Sequence, residues 1–133
     1  MRILPIIDFI AQTCDRYQRV STPVSLEPID ELSDIPAAFV YWINETTTTR
    51  DVTKTSQKRV LTFGVMTVAQ MPAANAEPLE DVREQLIDAL LGWAPSAEYS
   101  PITHSNAEIM DIRGDIIWVR DYFTTALHIR TQH

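Results

Sequence analysis

At 133 residues the chain has room for one domain that buries roughly two-thirds of its unfolded surface and folds without covalent staples. Its net charge of −7 excludes a general nucleic-acid binder, which needs clustered Lys and Arg against phosphate. A single cysteine, Cys14, excludes an internal disulfide framework and fits a reducing cytoplasm.

The opening run MRILPIIDFIAQ is interrupted by Asp8 and followed by no small-x-small cleavage site, so it does not read as a signal peptide. No stretch approaches the roughly 18 apolar residues of a membrane span. The expectation is one soluble intracellular domain over 1–133. Residues 3–19 read as a helix: Ile3, Ile7, Ile10, Cys14 and Tyr17 recur at helical spacing, with Asp8, Gln12, Asp15, Arg16 and Arg19 mostly off that stripe. Pro5 suits the first turn, and Ser21, Thr22 and Pro23 end the helix. Cys14 on the stripe reads as a small core residue rather than a reactive thiol.

The stretch 24–26 reads as a short strand, and 29–35 as a single helical turn between Pro28 and Pro36. Glu27, Asp30, Glu31 and Asp34 make this the most acidic part of the chain. Without glycine or ligand-spaced oxygens it reads as a solvated acidic loop, not a metal or acid–base site.

Next come two strands, 37–44 and 57–70, whose faces are both apolar: Phe39, Tyr41 and Ile43 against Val40 and Trp42, then Leu61, Phe63 and Val65 against Val60, Met66 and Val68. A sheet with one wet face alternates cleanly. Two helices cannot cover both faces, so a neighbouring subunit is expected to cover part of one. Between the strands, 45–56 is threonine-rich and low in hydrophobicity, which predicts a mobile hairpin loop. Arg50, Lys54, Lys58 and Arg59 concentrate positive charge there. The loop is either simply solvated or a docking arm for an acidic surface, such as 27–34 of another copy.

A second helix starts at Pro78, with Glu80 and Asp81 in its first turn, and is ended by Gly92 and Pro95. Leu79, Val82, Leu86, Ala89 and Leu90 form its buried stripe; Glu80, Arg83, Glu84 and Asp88 read as its solvated outer face. Residues 93–106 read as an irregular link in which Trp93 packs against the helix end. A closing hairpin fills 107–130. Its turn is placed at Arg113 and Gly114, so that Ile112 faces Asp115 and Met110 faces Ile117. In its second arm Ile117, Val119, Phe123, Thr125, Leu127 and Ile129 face the core. Trp118, Arg120, Tyr122, Thr124, Ala126, His128 and Arg130 form an amphipathic second side.

Asp121 is the exception on the apolar side. It marks a bulge, an ion pair with Arg113 or Arg120, or a catalytic acid. Gly64, Gly92 and Gly114 are too far apart for a phosphate loop or dinucleotide fingerprint. His104, His128 and His133 lack partners at metal spacing, and His104, Ser105 and Asp111 lack the elbow of a hydrolase triad. No catalytic residue, cofactor or metal site is expected.

The order of elements, with 36-PAAFV-40, 82-VREQLIDALLGWAP-95 and 116-IIWVRDYFTTALHIR-130 as the points of similarity, resembles the tail terminator (tail completion) proteins of tailed bacteriophages and prophages. The resemblance covers nearly the whole chain, although none of these stretches is a catalytic signature. It implies an α+β fold: a mixed or antiparallel sheet of about four main strands packed by two principal helices, in the order α-β-β-α-β-β, with a long hairpin loop between the first two strands. It also implies a structural virion protein, assembled in the host cytoplasm. A hexameric ring of copies would cap the head-proximal end of the tail tube, stop tube polymerisation and join the head connector. Expected partners are other copies of the chain, the tail tube protein and the connector or neck proteins, with DNA passing through the lumen unbound and no membrane contact. The interface residues are expected among Arg50, Lys54, Lys58, Arg59, Glu27, Asp30, Glu31, Asp34, Trp118, Arg120 and Tyr122. The alternatives are another neck component of the same assembly, or a small enzyme or ligand-binding domain centred on Asp121, His128 and Trp118.

Overall fold

The computed structural model describes residues 2–23, 35–51 and 56–130. Two helices, α1 (Leu4–Thr13) and α2 (Glu77–Leu90), pack on one face of a five-stranded sheet. Its strands are β1 (Arg19–Ser21), β2 (Ala37–Asp51), β3 (Ser56–Gln70), β4 (Thr103–Arg113) and β5 (Ile116–Arg130), in the spatial order β1-β2-β3-β5-β4. Only β1 and β2 run parallel; every other pairing is antiparallel. The fold is α+β, with the four long strands and two helices expected and a three-residue β1 beside them.

In α2 the terminal signals act largely as the sequence predicts, although the helix starts one residue earlier, at Glu77, and Asp81 falls past the first turn. Pro78 sits in the first turn with Glu77 and Glu80, the Asn75 side chain accepts a hydrogen bond from the Glu77 N–H at 3.1 Å, and Gly92 follows the end at φ 81°. Leu79, Val82, Leu86 and Leu90 are buried; Ala89 is half-buried. In α1, Pro5 lies in the first turn and Ile6 and Ile10 reach the core. This helix ends at Thr13, short of the expected 19, because Arg19–Ser21 is taken up as a strand against Ala37–Phe39. Tyr17 stays buried all the same, its hydroxyl 2.7 Å from that of Thr67. The expectations for 24–34 fall outside the described residues.

The polar stretch 45–56 is mostly strand. β2 continues to Asp51 and β3 begins at Ser56, with Thr46 opposite Val60 and Thr48 opposite Lys58. Threonine is β-branched and favours extended backbone, and β3 is paired on its other side by β5 as far as Arg130. Low hydrophobicity therefore marked a solvated sheet rather than a loop.

The closing hairpin is one residue out of the expected register. Gly114 and Asp115 form the turn, Arg113 pairs with Ile116, and Ile112 faces Ile117. Gly114, at φ 61°, holds the first central position, where type II′ hairpin turns place glycine. β4 also begins at Thr103, inside the stretch read as an irregular link. Trp93 does pack near the α2 end, its ring stacked at 3.9 Å on Phe9 of α1.

The sheet's second face, away from the helices, corrects the expectation that a neighbour must cover it. Ala37, Phe39, Tyr41, Met66, Val68 and Trp118 form a buried cluster there, joined by Ile35, Ile43, Met110 and Ile116. Trp118 is only 1 % exposed and Phe39 2 %. Arg113 lies over the Trp118 ring and Arg19 over the Phe39 ring, each with its guanidinium carbon 5.8 Å from the centroid. The guanidinium groups therefore lie over rings that a hydrophobicity count leaves bare. The exposed large apolar residues lie elsewhere: Leu4 and Leu91 at helix ends, and Trp42 on β2 with Ile109 and Ile112 on β4 along the sheet's edges, on the helix-bearing face.

Candidate assembly surfaces

The β2–β3 hairpin with the end of β5 projects as a three-stranded arm. Residues 44–48 are exposed, while Lys58, Arg59 and Val60 are half-buried between the flanking strands. Arg59 lies 3.9 Å from Glu45, both partly solvated, so the pair is weak and leaves the arm basic. Arg50 lies in β2, whereas Lys54 and the acidic set Glu27, Asp30, Glu31 and Asp34 fall outside the described residues.

The three aromatic and basic residues expected at an interface lie side by side on β5's second face but behave differently. Trp118 is beneath the surface. Arg120 donates to the Tyr41 hydroxyl at 3.1 Å, approaches Glu108 at 3.6 Å and lies over the Tyr122 ring at 4.7 Å. Tyr122 donates to Glu108 at 2.8 Å, and this contact together with burial raises its pKa, with burial the larger cause. The glycine opposite Tyr41 and Tyr122, Gly64, makes room for the crossing. A Cβ there would come within 2.9 Å of the Ile43 side chain and 3.3 Å of those of Arg120 and Tyr41. Three strands, β2, β4 and β5, are thus tied by a polar network that crosses over Gly64 of β3 and has one side open to solvent.

Asp121 is fully buried on the helix side, and its partner is neither Arg113 nor Arg120. Arg83 of α2 grips it with two hydrogen bonds, Nε to Oδ2 at 3.0 Å and Nη2 to Oδ1 at 2.6 Å, and the His104 Nε2 lies 2.9 Å from Oδ1. The bond to Asp121 raises the Arg83 pKa, more than burial lowers it. The helical pattern puts Arg83 on the solvated face of α2, but it is the helix's only cation, and a carboxylate on a core-facing strand position needs one. His104 stacks edge-on to Phe123 at 5.2 Å, so the cluster clamps α2, β4 and β5 together.

Chemistry does not converge on these residues. Trp118 and Asp121 lie on opposite faces of the sheet, and His128 is exposed on the arm, so the enzyme reading has no shared pocket. Ser105 donates to the Tyr122 carbonyl and Asp111 accepts from Arg113, which dissolves the triad with His104. A surface depression lined by Arg2, Pro5 and 95–99 lies at the far end of α1.

Among the described residues no helix is long and apolar enough to cross a membrane. No curated protein matches the chain. The phage tail terminator protein family matches residues 3–133, nearly the whole chain, and the chain belongs to that family.

Proposed function

We propose that copies of this chain form a hexameric ring on the head-proximal end of the tail tube, where it ends tube polymerisation and joins the tail to the head connector. The family supports a tail structural protein, and the observation that carries the reading further is the three-stranded arm, which extends beyond the helices and is covered by neither. In the ring the basic arm, with Arg50, Lys54, Lys58 and Arg59, meets an acidic surface of the next copy. The stretch bearing Glu27, Asp30, Glu31 and Asp34 supplies that surface. Arg120 and Tyr122, half-exposed on the second face, contribute to contacts with subunits or tube. The ring acts by binding alone, without catalysis, and the chain's net charge of −7 lets DNA pass the lumen without sticking.

The decisive experiment removes the protein during phage assembly and measures tail length. Overlong tubes support the terminator; tails of normal length that fail to join heads would reassign it to another neck component. In vitro, light scattering should give a mass near six times 15.1 kDa. Reversing charge at Lys58 and Arg59 should break the ring in 0.15 M salt, a screening length of about 8 Å, while leaving the monomer folded. A ring untouched by that reversal would reject the arm contact.

A further inference from the structure

We propose that neighbouring copies are joined edge to edge: the outer edge of β4 in one copy adds as an antiparallel strand to the outer edge of β2 in the next. The sheet then runs on from subunit to subunit. This rests on the ring reading above and adds a main-chain contact beside the one between the basic arm and 27–34.

The sheet ends at β4 on one side. On the other, β1 covers β2 only along Ala37–Phe39, and among the described residues no strand lies against β2 over 40–51. Long open edges expose rows of N–H and C=O groups that invite a further strand. The two free stretches, 40–51 and 103–113, are close in length, twelve and eleven residues. Three of the five exposed large apolar residues point the same way, the other two, Leu4 and Leu91, lying at helix ends. Trp42, Ile109 and Ile112 are 48 %, 61 % and 52 % exposed, and all three sit on these two edges. They also share the helix-bearing face: Trp42 lies opposite Phe63, Ile109 opposite Val119 and Ile112 opposite Ile117.

Setting Trp42 beside Ile112 fixes a register that keeps the alternation in phase, because the irregularities at Ile43 and Met110 then fall side by side. Glu45 comes beside Ile109, Thr46 beside Glu108 and Thr47 beside Ala107. From that place Trp42 also covers Ile109 on the diagonal, a reach of about 7–8 Å. Charge is complementary as well. Within 44–60, Arg50, Lys54, Lys58 and Arg59 outnumber Glu45 and Asp51; within 103–115, Glu108, Asp111 and Asp115 outnumber Arg113. The two edges differ, so the contact is heterologous and propagates around a ring instead of stopping at a dimer.

Disulfide trapping tests the joint. The native Cys14 is buried and stays in place, with the parent protein as control. The full chain carrying both Trp42→Cys and Ile112→Cys should give, on oxidation, a covalent ladder ending at the ring mass, and Ile112→Cys alone should give none. A second pair, Thr46→Cys with Glu108→Cys, tests the same register with Trp42 and Ile112 intact. A ring mass by light scattering with neither pair cross-linking would overturn the joint and leave the ring standing. Dimers from Ile112→Cys alone would show β4 pairing with itself, which also overturns it. A covalent ladder that never closes supports the joint but removes the ring, whereas a monomer that fails to cross-link removes both.

Discussion

Asp121 shows how one side chain can hold two layers together. Its carboxylate is fully buried and paired with Arg83 across the helix–sheet boundary. Asp121→Asn keeps the shape and removes the charge, leaving the Arg83 guanidinium, a quarter exposed, without its counter-ion. The expected loss is about 3 kcal/mol, read as a fall in the urea midpoint at unchanged slope. The oddity of an acid at this position was legible from the alternation of β5. Its partner was not, because Arg83 is one residue past the buried Val82, at the stripe's margin, where a helical wheel does not separate flank from exterior. Cys14 makes a second residue-level prediction. Burial, aided by the nearby Asp15, pushes its thiol from 9.0 to about 11. The folded state therefore holds the proton more tightly than the unfolded chain. That contribution is fully present below pH 9 and is lost as pH rises through 11. Urea midpoints between pH 8 and 11 should fall more steeply for the parent than for Cys14→Ala.

At the level of elements, local chemistry sets ends more firmly than middles. Gly114 holds φ 61°, a region in which an L side chain is strained by roughly 1–2 kcal/mol. Gly114→Ala should accordingly cost about 1 kcal/mol, visible as a drop of a few degrees in Tm. The glycine announced the hairpin but not which of its neighbours shared the turn, and the one-residue shift followed. α2 was readable from both termini because Pro78 and Gly92 bracket it. α1 was not, since nothing in 14–18 breaks the apolar period; only the pairing of β1 with β2 stops it. The arm was hidden for a different reason. A ribbon of exposed threonines beside a half-buried β3 carries no alternating burial pattern, so its threonines read as a loop until β3 and β5 are seen to pair along it.

For the molecule as a whole, β3 and β5 are the interior strands, bonded on both sides for most of their length, and β4 is an edge. Amide exchange in the isolated chain should be slowest at 61–68 and 117–125 and faster along β4, in line with local differences in opening free energy. Equal protection of β4 in a monomeric sample would contradict this layout. The buried second face changes what assembly is for. Trp118 and Phe39 are already shielded within one copy, so the second-face cluster does not need a neighbour to be covered.

Because β5 supports β3 along the arm, the backbone near Lys58 and Arg59 is already set before any partner arrives. A flexible loop would lose about 1–2 kcal/mol per residue on being immobilised; this stiff outrigger has given up that freedom during folding. Capture by it should therefore resemble the meeting of two finished shapes, quick to form and sparing in entropy, with the bearing of each cation dictated by the pleat beneath it.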